Sequence, residues 1–357
     1  MAGLLAARAA APRLLLLALL MFWTSSSTAL VDSSSLRAFW QQELPNTGIP
    51  EEFQNLASPL PSSETQEVVL MVKAGSAIQA SAASKDFCSS AGIYCPQKDT
   101  TIVVPGNPGI GTQVCVGPFH YQYVGAIPCS ARAAAASTIQ ANGIFMHKDA
   151  LMVGKTVQLP DTSNDLQGLK FLPSSIADAL PKLEAGNLLE FEKIFSVQKG
   201  SDMELDMKNT LAHCGFKSEH EVKECQASGE GVVRFISGVL GQTAVVVTAP
   251  VMKKQEVKIV GIASLSGKGE KTVACHNMRF PSLVYSCHMT QTFKLMDVSV
   301  KLASGHLAHL PAVCHMDTSY WSPSHVAFQA LNVQPGKSSV CHWFPENTFL
   351  FVQGAHT

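Results

Sequence analysis

Four copies of the dipeptide Cys-His, at 275–276, 287–288, 314–315 and 341–342, constrain this chain more than any other feature. They are separated by 10, 25 and 25 intervening residues, and the two equal intervals link the last three pairs with a period of 27. Little besides the dipeptide and a following Met or Trp recurs, so the internal repeat is weak. On a strand, successive side chains point to opposite faces of the sheet. Cysteines of such pairs can therefore be tied together on one face while the imidazoles converge on the other, to hold a metal or move protons.

The redox compartment decides what the cysteines do. Arg8 and Arg13 precede an apolar run, Leu14 to Trp23, followed by the small and polar residues Thr24 to Ala29. The run is too short to span a bilayer, where about 20 residues are needed. Ser27 and Ala29 fit a signal-peptidase site, so residues 1–29 are expected to be a signal peptide cut after Ala29. All ten cysteines (Cys88, Cys95, Cys115, Cys129, Cys214, Cys225, Cys275, Cys287, Cys314 and Cys341) follow it, and an even number in an oxidising compartment predicts disulfides. The chain has no Asn-x-Ser/Thr acceptor for N-glycosylation. With a formal charge of −1 and no Lys/Arg block it lacks the footprint of a nucleic-acid binder. A second apolar stretch, Val232 to Val251, is broken by Arg234, Gly238 and Gly241 and reads as a buried helix followed by a strand. No transmembrane segment is expected.

Residues 30–61 carry one apolar stripe, Leu36, Phe39, Trp40 and Leu44, that predicts a short amphipathic helix stopped by Pro45-Asn46-Thr47-Gly48. Residues 62–141 are rich in Ser, Ala, Gly and Pro and read as a loop-rich, variable module stapled by Cys88, Cys95, Cys115 and Cys129. Pairing 88 with 95 and 115 with 129 is the local option among three. The run Ala133 to Ala136 separates this module from a main domain, residues 142–357. There Ser201 and Glu204 form a capping box, Met203, Met207 and Leu211 share a helix face, and Gly215 is a stop. Val232, Ile236, Val239 and Leu240 mark a second helix ended by Gly241. Short β-rich runs follow: Ala244–Thr248, Val257–Ala263, Leu283–Ser286 and Phe293–Lys301. Helices first and strands later predict an α+β domain with a largely antiparallel sheet.

The CH spacing resembles the signature of the plant BURP family. So do Phe39-Trp40 with Leu44-Pro45-Asn46-Thr47, Phe145-Met146-His147-Lys148, Phe171-Leu172-Pro173, and the pair Cys214 and Cys225. The resemblance covers Asn142 to Val352 and, more loosely, residues 36–50. After the eight residues that follow His342 the family pattern has Trp and this chain has Phe351, which keeps an aromatic wedge and loses an indole donor. Residues 62–141 carry neither the tandem Phe-x-x-Tyr repeats of the polygalacturonase-subunit type nor a repeated core peptide. The resemblance implies a secreted, disulfide-stabilised protein of the apoplast or cell wall, with the vacuole as the alternative destination. It also implies two functional groups: extracellular proteins of development and stress response without known catalysis, and copper-dependent peptide cyclases that crosslink Tyr or Trp.

On that resemblance His276, His288, His315 and His342 are the expected copper ligands. Imidazole suits copper, and it must be neutral to bind. Zinc held by thiolates is the competing metal, but secretion favours disulfides. Adjacent Cys and His do not make a protease dyad, because they do not present both groups to one substrate. His306 and His309 are further candidate ligands if their stretch is a helical turn. Tyr94, Tyr121, Tyr123 and Trp40 are candidates for oxidative crosslinking, with packing as the alternative. The cluster Gly106 to Gly111 lacks the Lys-Ser/Thr ending of a phosphate loop and reads as a turn. The expected partners are a wall polysaccharide, a wall enzyme or a peptide substrate, and no catalytic residue is assigned.

Overall fold

The computed structural model describes residues 33–78, 87–94, 144–163, 168–265, 270–290, 292–321, 323 and 325–354. The expected signal peptide, Cys95, Cys115, Cys129, Tyr121, Tyr123 and the turn at 106–111 lie outside the described residues.

Helix α1 (Ser33–Glu43) forms where the stripe predicts it. Leu36, Trp40 and Leu44 recur every four residues and are buried, and the Trp40 indole N–H donates to the Thr47 carbonyl 2.7 Å away in the turn that ends the helix. After α2 (Glu51–Gln54), α3 (Ser62–Lys73) stands where composition predicts loop. Its small and polar residues hide a core stripe, Thr65, Val68 and Val72, that packs with α4 (Phe87–Ala91), α5 (Ser174–Ala177), α6 (Leu188–Ile194) and α7 (Asp202–Gly215). Ser201 caps α7 by accepting from the Glu204 N–H. Helix α8 (Gly229–Leu240) is capped by Ser228 and released by Gly241, whose φ of 78° suits glycine.

The strands build two sheets, and every pair among the described residues is antiparallel. A five-stranded sheet contains β3 (Glu221–Gln226), β4 (Ala244–Thr248), β6 (Thr272–Met278), β7 (Val284–Thr290) and β11 (Phe349–Gln353), in the order β3-β7-β6-β11-β4. A six-stranded sheet contains β1 (Phe145–Met146), β2 (Thr156–Leu159), β5 (Gln255–Ser264), β8 (Phe293–Lys301), β9 (Leu307–His315) and β10 (Val340–Trp343), in the order β1-β10-β9-β8-β5-β2. A last helix, α9 (Val326–Leu331), lies between β9 and β10 in sequence. Expected strands 244–248 and 293–301 coincide with β4 and β8, and the other two overlap β5 and β7. The architecture is α+β.

Alternation along the strands sorts the core into layers. On the five-stranded sheet Val273, Cys275, Tyr285, Cys287, Phe349 and Phe351 face outward under α1 and α8. The inner faces of the two sheets meet through Leu295 and Val313 on one side and Leu350 and Val352 on the other, with Phe344 just after β10. The opposite face of the six-stranded sheet buries Val257, Val298, Ala312, Cys314, Cys341 and Trp343. Each large aliphatic or aromatic side chain buried this way contributes roughly 1.5–3 kcal/mol. Among the described residues no helix is long and apolar enough to cross a membrane.

Candidate functional site

Two cross-strand disulfides place the histidines. Cys275 on β6 lies directly opposite Cys287 on β7, and the two are bonded with Cα atoms 4.0 Å apart. Cys314 on β9 and Cys341 on β10 repeat the arrangement, also at 4.0 Å. In an antiparallel ladder the residues after two opposed cysteines step away in opposite directions. His276 therefore faces Ser286, His288 faces Ala274, His315 faces Val340 and His342 faces Val313. Both imidazoles of each pair are diagonal neighbours on the face away from the sulfurs.

Because the inner faces of the sheets meet, the two diagonals close into a ring of four imidazoles. Ring centroids are 5.2 Å apart for His276–His288 and 5.6 Å for His315–His342 within the sheets. Between the sheets they are 6.2 Å apart for His276–His342 and 6.5 Å for His288–His315. All four line one pocket of about 310 Å³, including its open mouth, whose apolar wall contains Phe293, Leu295 and Leu350. Phe344 stacks on His276 at 6.1 Å and meets His342 edge-on at 5.1 Å. Trp321 meets His315 edge-on at 4.8 Å.

Burial, then repulsion between neighbouring imidazoles, holds His276 and His315 well below the ordinary histidine range. Burial likewise lowers His342 to about 4, so these rings are neutral near pH 7. His342 Nδ1 donates to the Trp343 carbonyl at 2.9 Å, which leaves the lone pair on Nε2. His288 Nδ1 bonds to Glu221 Oε1 at 2.7 Å. His315 Nδ1 and the Thr272 hydroxyl, both facing the same pocket region, are buried without a hydrogen-bond partner among the described residues. Burial opposes ionisation of Glu221, but the bond from His288 and the charge of Lys223 hold its carboxyl below the usual range.

The donor set fits a metal that takes imidazole nitrogen: three rings kept neutral by burial (His276, His315 and His342), two rings (His288 and His342) anchored through Nδ1, and an orphaned buried nitrogen. Among the described residues no three His, Cys, Asp or Glu side chains are already drawn into a metal-binding group, so ligation requires the rings to close in. Thiolate zinc and a cysteine nucleophile both fail here, because the CH cysteines are consumed in disulfides. Cys214 and Cys225 form a third bridge, and Cys88 is disulfide-bonded as well.

His306 and His309 are not part of the ring. His309 lies on strand β9 rather than on a helical turn, is exposed, and bonds through Nδ1 to Asp297 at 2.8 Å. Trp40 is buried in the outer core against Phe351, with ring centroids 6.0 Å apart, and Tyr94 is tied by its N–H to the Pro281 carbonyl. Sequence reasoning missed Glu221, Trp321 and Phe344. For Glu221 the local signal is that it shares one face of β3 with Lys223 at period two, which marks a strand and not a partner for His288.

A family model described as the BURP domain matches residues 144–353. BURP domain-containing protein 16 of Oryza sativa is 28% identical over 335 residues, covering 88% of this chain and 87% of that protein. BURP domain-containing protein 3 of the same species is 35% identical over 217 residues, 58% of this chain and 50% of that protein. The polygalacturonase non-catalytic subunit AroGP3 of Solanum lycopersicum is 34% identical over 211 residues, 57% of this chain and 33% of that protein. This chain thus spans about a third of the tomato subunit's length. With the family model matching more than half of its residues, including all four CH pairs, the chain belongs to the BURP domain family.

Proposed function

We propose that this is a secreted protein of the plant apoplast or cell wall whose CH imidazoles His276, His288, His315 and His342 bind copper, and which has no catalysis of its own. The observation that carries the reading is the closed ring of four imidazoles, brought together from four strands and backed by two disulfides. Bound copper would supply a redox-active Lewis acid. The chain's own contribution is a pocket whose burial keeps His276, His315 and His342 neutral and whose apolar wall is formed by Phe344, Leu295 and Leu350. The relatives named as non-catalytic polygalacturonase subunits support a wall polysaccharide hydrolase as the partner.

A second reading, oxidative crosslinking of a peptide Tyr or Trp, is favoured by the apolar wall beside the rings, which suits an aromatic side chain. Metal analysis of the purified secreted chain separates the two, with His288→Ala and His315→Ala beside it and an intact-mass scan after copper addition. The expected result is copper in the wild type, its loss in both variants, and no mass change. A loss of about two hydrogens per crosslink moves the conclusion to the cyclase, and a wild type without copper overturns both readings.

A further inference from the structure

The Cys214–Cys225 bridge joins the last turn of α7 to strand β3, closing a segment with a sequence separation of 11 that flanks the imidazole ring. On β3 the register sets Lys223 opposite His288 and Glu221 opposite Thr290, so Glu221 is the diagonal neighbour of His288. Its Oε1 takes the His288 Nδ1 bond at 2.7 Å, and the two side chains are only 17% and 14% exposed. Lys223, 5% exposed, stands behind it, with Nζ 3.9 Å from the other Glu221 oxygen. The same ammonium donates to the His213 carbonyl at 2.8 Å, at the end of α7. A continuous polar chain therefore runs from α7 through Lys223 and Glu221 to His288, and none of the first three members belongs to a CH motif. His342 has a backbone carbonyl on Nδ1 instead, and His315 has no bond there among the described residues.

We infer that Glu221 is a positioning residue that holds His288 with its proton on Nδ1 and its lone pair on Nε2, ready for an ion shared with the other CH imidazoles. The inference rests on the copper reading above. A carboxylate on the far nitrogen fixes the tautomer, stops the ring from turning and raises its basicity as a ligand. Lys223 keeps that carboxylate compensated in a site where an unpaired charge is costly. The Cys214–Cys225 bridge ties β3 to the end of α7, and the ladder with β7 sets the register that places the carboxylate beside His288.

The test is competitive copper titration of the full secreted chain, stripped with a chelator, as wild type, Glu221→Ala, Glu221→Gln and Trp40→Ala. Glu221→Ala is expected to weaken copper binding about 10–100-fold without changing its stoichiometry. Glu221→Gln, whose amide oxygen still accepts from Nδ1, is expected to recover part of that loss. Trp40→Ala, which destabilises the outer core away from the ring, is expected to leave the affinity unchanged. Wild-type affinity in Glu221→Ala overturns the positioning role and leaves the copper reading standing. Equal losses in Glu221→Ala, Glu221→Gln and Trp40→Ala also overturn it, because they report general destabilisation. A wild type that binds no copper overturns the copper reading itself and the inference with it.

Discussion

Phe351 is fully buried on β11, in the outer core beneath α1, and its ring lies 6.0 Å from Trp40. Trp40 already fills the space beside it and satisfies its own indole N–H on the Thr47 carbonyl. An indole at 351 would need extra volume and an acceptor in a close-packed layer. Phe351→Trp, which restores the family's usual residue, is therefore expected to destabilise this chain by about 1–3 kcal/mol in urea denaturation. A stability equal to wild type or higher would contradict the packing described here.

At the scale of elements, the disulfides act on hairpin-like pairs of strands. Cys314 and Cys341 are 27 residues apart in sequence, and Cys275 and Cys287 are 12 apart. The longer loop loses more entropy on closure in the unfolded chain, about 3.6 against about 2.8 kcal/mol by the chain-entropy relation. Cys314→Ala with Cys341→Ala is expected to lower stability more than Cys275→Ala with Cys287→Ala, in matched denaturant melts. Each pair should also weaken copper binding, because the diagonal placement of two imidazoles is set by the covalent bond behind them.

For the whole molecule, burial of neutral imidazoles sets the response to acid. His213 and His325 titrate at about 3 in the folded chain against 6.5 ordinarily, with burial as the main cause. Between those values the unfolded chain binds more protons, so stability rises with pH through this window and is lost as pH falls through it. Asp206 runs the other way: burial, then repulsion from Asp202, pushes it up to about 7 against the opposing pull of the Arg279 guanidinium 3.5 Å away, so its contribution falls as pH rises from 3.8. Two histidines against one carboxylate leave the histidines dominant. The urea midpoint of the metal-free chain should be higher at pH 7 than at pH 4, and the reverse order would show that Asp206 controls the balance.

Much of this was local enough to read from the chain. The stripe Leu36-Trp40-Leu44, the Ser201 cap, the Gly241 stop and the strands at 244–248 and 293–301 are short-range patterns, and period-two alternation alone sends Cys and His of one dipeptide to opposite faces. Helix α3 was obscured because it opens the Ser-, Ala-, Gly- and Pro-rich stretch 62–141, although Thr65, Val68 and Val72 are buried on one of its faces. The amino-acid sequence thus determined the α+β class, the candidate ligands and the two-faced logic of the CH pairs. Tertiary structure alone decided which cysteines bond, that β6–β7 and β9–β10 lie in different sheets, and that their inner faces meet to close the ring. It also decided that Glu221 would stand beside His288, since register and sheet packing join residues 67 positions apart that no local periodicity connects.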